Sequence, residues 1–119
     1  MKRVLVVEDN EQNMYMLEFM LKKHDYEVIK AWDGIEAVDK AIKEIPDLII
    51  MDWQMSNKNG IEATKEIRQV EGLKSVPILF FTSNVMAGDR EKAYSAGATG
   101  YLEKPINPDT FINEIKKYV

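Results

Sequence analysis

A chain of 119 residues with 45% hydrophobic content has the size and apolar share of one domain built on one core. Its 20 Asp and Glu against 16 Lys and Arg leave a net charge of -4, which disfavours a general binder of nucleic-acid backbones or anionic membranes, since both need a basic surface. The absence of cysteine excludes disulfides, thiolate catalysis and cysteine-based zinc sites, and the single His24 cannot build a metal cluster alone.

The first element is the run Val4-Leu5-Val6-Val7, apolar throughout and β-branched at three of four positions, as in a strand buried on both faces. Met14, Leu17 and Leu21 follow at i, i+3, i+7 and predict a helix. Val28-Ile29 is a short apolar pair flanked by charge, the pattern of an edge strand. Ile35, Val38 and Ile42 repeat the helical spacing and predict the inward face of a second helix. Leu48-Ile49-Ile50-Met51 is another buried strand. Asn59-Gly60 predicts a tight turn with positive φ, and Ile61, Thr64 and Ile67 line a third helix. Ile78-Leu79-Phe80-Phe81, entered through Pro77, is the next strand. Residues 87–96 follow as a helix whose inward candidates are only Ala87, Ala93, Tyr94 and Ala96; so little aliphatic surface predicts the most mobile helix. Tyr101-Leu102 is a second edge strand. Asn107-Pro108 reads as an N-cap and first-turn proline before a helix carrying Phe111, Ile112 and Ile115.

The pattern is therefore βα repeated five times. Strict alternation predicts a doubly wound parallel sheet with helices on both faces and right-handed crossovers. Strands one, three and four inside with two and five at the edges match the order 2-1-3-4-5, a flavodoxin-like α/β arrangement. Residues 1–119 read as a single domain. No apolar run approaches the roughly 20 residues of a membrane span, and residues 1–20 lack the order of a signal peptide, so a cytoplasmic protein is expected.

In such sheets ligands bind beyond the carboxyl ends of the strands, where the order reverses between strands one and three. Strand one ends in Glu8-Asp9, strand three in Asp52, strand four in Thr82-Ser83 and strand five in Lys104-Pro105. Three carboxylates, a hydroxyl and an ammonium converge on one rim. Two unit charges about 4 Å apart repel by roughly 4 kcal/mol at an effective dielectric near 20, so the acids need compensation. All ligands on offer are hard oxygens, which makes Mg²⁺ the natural candidate. A carboxylate on such a metal can attack phosphorus and become an aspartyl phosphate. The metal and Lys104 would neutralise the phosphoryl oxygens, and Thr82 would hydrogen-bond one of them.

These residues resemble the receiver domains of two-component response regulators over essentially the whole chain. The matching pieces are Val7-Glu8-Asp9-Asn10, Ile50-Met51-Asp52-Trp53-Gln54-Met55, Asn59-Gly60, Thr82-Ser83, Ala96-Gly97-Ala98 and Tyr101-Leu102-Glu103-Lys104-Pro105. The resemblance implies that Asp52 is the phosphoacceptor, that Asp9 binds Mg²⁺ directly and Glu8 mostly through water, and that the Gln54 backbone carbonyl is a further ligand. It implies that Lys104 pairs with the phosphoryl oxygens, that Thr82 moves toward them, and that Tyr101 swings inward in response. It also implies a cis bond before Pro105. Ser56 stands where the family usually has proline, Asn57-Lys58 replaces a more apolar loop, Ser83 replaces alanine, and Trp53 is bulkier than the usual neighbour of the acceptor. Asp9-Asn10-Glu11-Gln12-Asn13 and Gly60-Ile61-Glu62-Ala63-Thr64 look like receivers of hybrid kinases and stand-alone phosphorelay receivers.

The expected function is a signalling switch rather than an enzyme acting on a separate substrate. A histidine kinase or histidine phosphotransfer protein would donate a phosphoryl group to Asp52. The surface of helix four, strand five and helix five would then engage a downstream protein partner, with no direct nucleic-acid or membrane contact. The chain ends at Val119, just after the last helix; a stand-alone signalling protein is the simplest reading, and an N-terminal piece of a longer regulator is the alternative. A phosphohydrolase would carry a second acid two residues after the nucleophile, where this chain has Gln54. A flavodoxin-type cofactor binder would need a Gly/Ser/Thr-rich loop after strand one, where this chain has Glu8-Asp9-Asn10-Glu11. Trp32 and Trp53 read as packing or rim residues, and His24 as a solvated helix end.

Overall fold

The computed structural model describes residues 1–53, 57–82, 88–103 and 107–119. Among them the chain alternates strand and helix without exception. The elements are β1 (Arg3–Val7), α1 (Glu11–Lys23), β2 (Glu27–Ala31), α2 (Gly34–Glu44), β3 (Leu48–Asp52), α3 (Gly60–Arg68), β4 (Ile78–Thr82), α4 (Asp89–Ala96), β5 (Gly100–Glu103) and α5 (Pro108–Lys116). The five strands are all parallel, in the order β2-β1-β3-β4-β5. Residues 4–7 and all of β3 and β4 are buried, which is why they read as unbroken apolar runs. Side chains alternate across the sheet. Val4, Val6, Leu48 and Ile50 face α1 and α5, whereas Leu5, Val7, Ile49 and Met51 face α2, α3 and α4.

Four helices start on a residue whose side-chain oxygen accepts a backbone amide. Asn10, Asp33 and Asn59 accept from Asn13, Glu36 and Glu62, and Asn107 accepts from Asp109 and Thr110. Helix α4 differs. It follows Gly88, has no side-chain cap, runs for eight residues and buries only Ala93 and Ala96. Tyr94, expected to face inward, is 49% exposed. At its other end α4 is gripped by Arg68 of α3. Arg68 donates from Nε and Nη2 to the Gly97 carbonyl at 3.0 and 2.7 Å, and from Nη1 to the Leu73 carbonyl at 2.9 Å.

Two further readings of the sequence are corrected. In α2 the buried positions are Gly34, Ala37 and Ala41, while Ile35 and Ile42 are 51% and 46% exposed. The helix lies too close to its neighbours for large inward side chains: a Cβ on Gly34 would overlap the carbonyl oxygen of Lys58 and sit 2.6 Å from its carbonyl carbon. Gly60 does not sit at positive φ either. It is the first residue of α3, and a Cβ there would lie 2.6 Å from the Asp52 carbonyl oxygen. The demand for glycine at position 60 is therefore the approach of α3 to the end of β3, not a left-handed turn.

Helix α2 ends on Ile45 at φ 46°, a left-handed conformation that costs a β-branched residue about 1–2 kcal/mol. Because Ile45 is half exposed, little burial offsets that strain. Ile45→Gly is expected to stabilise the fold by about 1 kcal/mol, read as a higher urea midpoint.

Candidate functional site

The carboxyl ends of β1 and β3 bring three acids together. Glu8 and Asp9 follow directly on β1, and Asp52 is the last residue of β3. Glu8 and Asp52 are buried, with exposures of 1% and 6%, whereas Asp9 is exposed. One carboxylate oxygen from each lies within 4.8 Å of the others. Local backbone bonds fix this arrangement. The Glu8 amide donates to the Ala31 carbonyl of β2 at 3.1 Å, and Glu8 Oε2 accepts the Asn10 amide at 3.1 Å. Past Asp52, the Gly60 amide donates to the Trp53 carbonyl at 3.0 Å, and the Trp53 ring stands edge-on to Phe80 with centroids 5.4 Å apart. Carboxylates this close repel, and a hard divalent cation held by oxygen ligands is the partner that suits them. The donor set fits Mg²⁺: it is all oxygen and partly solvent-open on the Asp9 side, leaving room for the waters that ion keeps.

The other expected site residues divide. Thr82 is buried at 6% exposure and ends β4, next to the acidic rim in the sheet order. Gln54, Lys104 and Pro105 lie outside the described residues, as do Met55, Ser56, Ser83, Asn84, Met86 and Ala87. Tyr101 lies on β5 with its ring half buried against the α4 side of the sheet. Its hydroxyl oxygen is buried and has no hydrogen-bond partner among the described residues. The Arg90 guanidinium covers the ring at 5.3 Å from its centroid and pairs with Glu103 at 3.1 Å.

Burial pushes the Tyr101 phenol above the usual tyrosine value of 10.0; Asp89 adds to the rise and Arg90 opposes it. A folded-state value above the unfolded one means that the stability tied to the neutral phenol is intact below pH 10.0 and lost as pH rises through the folded value. Tyr101→Phe is therefore expected to be neutral or stabilising by up to about 1 kcal/mol at pH 7, because a buried unpaired hydroxyl is removed. The same variant should show a shallower loss of stability above pH 10.0, measured by urea unfolding across pH.

Two features were missed in the sequence. Asp33 and Asn57 meet side chain to side chain at 2.7 Å, and Arg90 covers Tyr101. The partner of Asp33 is 24 positions away, so no local pattern announces the pair.

A 2-1-3-4-5 parallel sheet with acids at the ends of its first and third strands is the architecture of a two-component signalling receiver. The family model for the response regulator receiver domain matches residues 4–116, and the chain belongs to that family. It is 39% identical over 118 residues to the polar-differentiation response regulator DivK of Brucella ovis, covering 99% of this chain and 96% of that one. The chemotaxis protein CheY4 of Vibrio cholerae superposes with a TM-score of 0.95 at 35% identity, over 100% of this chain and 99% of that one. The receiver domain of a sensor histidine kinase from Pseudomonas aeruginosa, a structure with a magnesium ion coordinated in its active-site cleft, gives 0.92 at 37% identity over 98% and 96%.

Proposed function

We propose that Asp52 accepts a phosphoryl group from a histidine kinase or histidine phosphotransfer protein, and that Glu8, Asp9 and Asp52 hold Mg²⁺ together with the Gln54 backbone carbonyl. The observation that carries this reading is the meeting of three carboxylates within 4.8 Å, with Asp52 buried at a strand end. The magnesium ion in the cleft of the Pseudomonas receiver supports it. Bound Mg²⁺ would supply charge neutralisation for the acids and the incoming phosphoryl oxygens. Asp52 would present one carboxylate oxygen to phosphorus. As that oxygen–phosphorus bond forms, the bond from phosphorus to the donor's imidazole nitrogen breaks. Lys104 and Thr82 would hold phosphoryl oxygens, and the bond before Pro105 would be cis.

The modified chain gains a charge of roughly -2 at this rim. The reading continues with Thr82 and Tyr101 shifting toward that charge and biasing the surface of α4, β5 and α5 toward a protein partner. Residues 1–119 would act as one receiver unit that modifies only itself, not as an enzyme with a separate substrate. A cytoplasmic location goes with this role; among the described residues no helix is long and apolar enough to cross a membrane.

The test is incubation with acetyl phosphate and Mg²⁺ followed by intact mass. One phosphoryl adduct that is lost when EDTA is present is expected. An unchanged mass, or an adduct that forms equally well in EDTA, overturns the reading.

A further inference from the structure

The acidic rim is braced by an element that supplies none of its acids. The segment from the end of β2 to the start of α2 touches both sides of the rim. On one side, the Ala31 carbonyl, two residues before Asp33, receives the Glu8 amide at 3.1 Å. On the other, Asp33 Oδ2 accepts the side-chain amide of Asn57 at 2.7 Å, at the far end of the connection that leaves Asp52. The same Asp33 uses Oδ1 to cap α2 through the Glu36 amide at 2.8 Å, so both oxygens are committed. Those two bonds, Glu36 first and Asn57 second, hold the Asp33 carboxyl below the ordinary aspartate range.

Around Asn57 the backbone is fitted to this contact. Asn57 sits at φ 69°, a left-handed conformation that asparagine tolerates better than most residues. Lys58 packs its carbonyl onto Gly34, where no Cβ fits, and its ammonium pairs with Glu66 of α3. Asn59 then caps α3, and Gly60 closes against Asp52 and Trp53. A continuous path of contacts thus runs from Glu8 through Ala31, Asp33 and Asn57 to Gly60 and Asp52.

We propose that the Asp33–Asn57 pair is a positioning latch that fixes the spacing between Asp52 and the Glu8–Asp9 pair, and so sets how tightly this site binds Mg²⁺. Neither residue is a metal ligand; both act through backbone placement. The proposal rests on reading the acidic rim as a Mg²⁺ site.

The test is an NMR titration of the full chain with MgCl₂, following the indole N–H of Trp53, the residue after Asp52. Each variant's urea midpoint is measured alongside. Asn57→Gly suits the left-handed backbone and removes only the side-chain bond. It is expected to raise the Mg²⁺ dissociation constant about three- to fivefold, the scale of one ordinary hydrogen bond in a solvent-exposed pair. Asn57→Asp separates the latch from plain electrostatics. An added negative charge by itself tightens cation binding, whereas a carboxylate facing Asp33 breaks the latch and weakens it. The exchange Asp33→Asn with Asn57→Asp keeps an α2 cap and restores a donor–acceptor pair, so binding should return to about the wild-type value.

A wild-type dissociation constant in Asn57→Gly, or tighter binding in Asn57→Asp, overturns the latch while leaving the metal site standing. A shifted urea midpoint with unchanged Mg²⁺ binding also overturns it, because the pair would then be only structural. If the wild type shows no Mg²⁺ response, the reading of the rim as a metal site fails, and the latch with it.

Discussion

Replacing Asp52 with asparagine is expected to abolish the adduct formed from acetyl phosphate and to remove most of the Mg²⁺-dependent gain in stability. Asparagine has nearly the shape of aspartate, so a residue at 6% exposure in the central strand can be exchanged without opening a cavity. What changes is charge. The amide oxygen is a poor nucleophile toward phosphorus, and one of the three carboxylates within 4.8 Å is gone. Linkage gives the size of the second effect. A ligand that binds only the folded chain adds about 2.7 kcal/mol at a hundredfold excess over its dissociation constant. The wild type should therefore show a clear rise in urea midpoint on adding Mg²⁺, and Asp52→Asn a much smaller one. An adduct on the variant equal to that on the wild type would move the acceptor elsewhere. An equal Mg²⁺ shift would mean that Asp52 is not a ligand.

The largest expected loss of stability comes from a residue with no chemistry at all. Gly34→Ala adds one methyl group, and in an ordinary helix that change helps by up to about 1 kcal/mol. Here the methyl group would overlap the Lys58 carbonyl oxygen and stand 2.6 Å from the carbonyl carbon. Both are backbone atoms and cannot rotate away, so α2 or residues 57–58 must shift. Overpacking against fixed backbone costs about 3 kcal/mol, more than the helix propensity returns. Urea unfolding should place Gly34→Ala at least about 2 kcal/mol below the wild type. A midpoint equal to the wild type would show that the approach of α2 to residues 57–58 is soft.

The contrast between α2 and the strands explains what the sequence could and could not tell. Strands β1, β3 and β4 are buried on both faces, so their composition alone identifies them. Glu8, Asp9 and Asp52 were legible for the same reason: polar residues that end apolar runs mark the carboxyl edge of the sheet. Helix α2 misled because close packing is achieved by small residues. Gly34, Ala37 and Ala41 carry little hydrophobic signal, while Ile35 and Ile42 carry much and stay half exposed. Asn59-Gly60 looked like a turn because that pair is frequent in turns; the true constraint, the Asp52 carbonyl, lies eight positions earlier in the chain. Tyr94 failed in the same way as Ile35, since α4 buries only Ala93 and Ala96. The Asp33–Asn57 and Arg68–Gly97 contacts depend on segments distant in the chain meeting, and one-dimensional spacing holds no trace of them.

The Arg68 grip has a mechanical corollary. Two guanidinium nitrogens pin α4 at its Gly97 end, while the Gly88 end lacks a side-chain cap. A rod held more firmly at one end tilts about that end, and eight residues give it an arm of about 12 Å. A small tilt is then magnified toward Asp89 and Arg90 and nearly cancelled at Ala96. Arg90, which covers Tyr101 and pairs with Glu103, rides on the long arm. Any change in tilt is thus delivered as displacement where α4 meets β5, and the Arg68 end serves as its fulcrum.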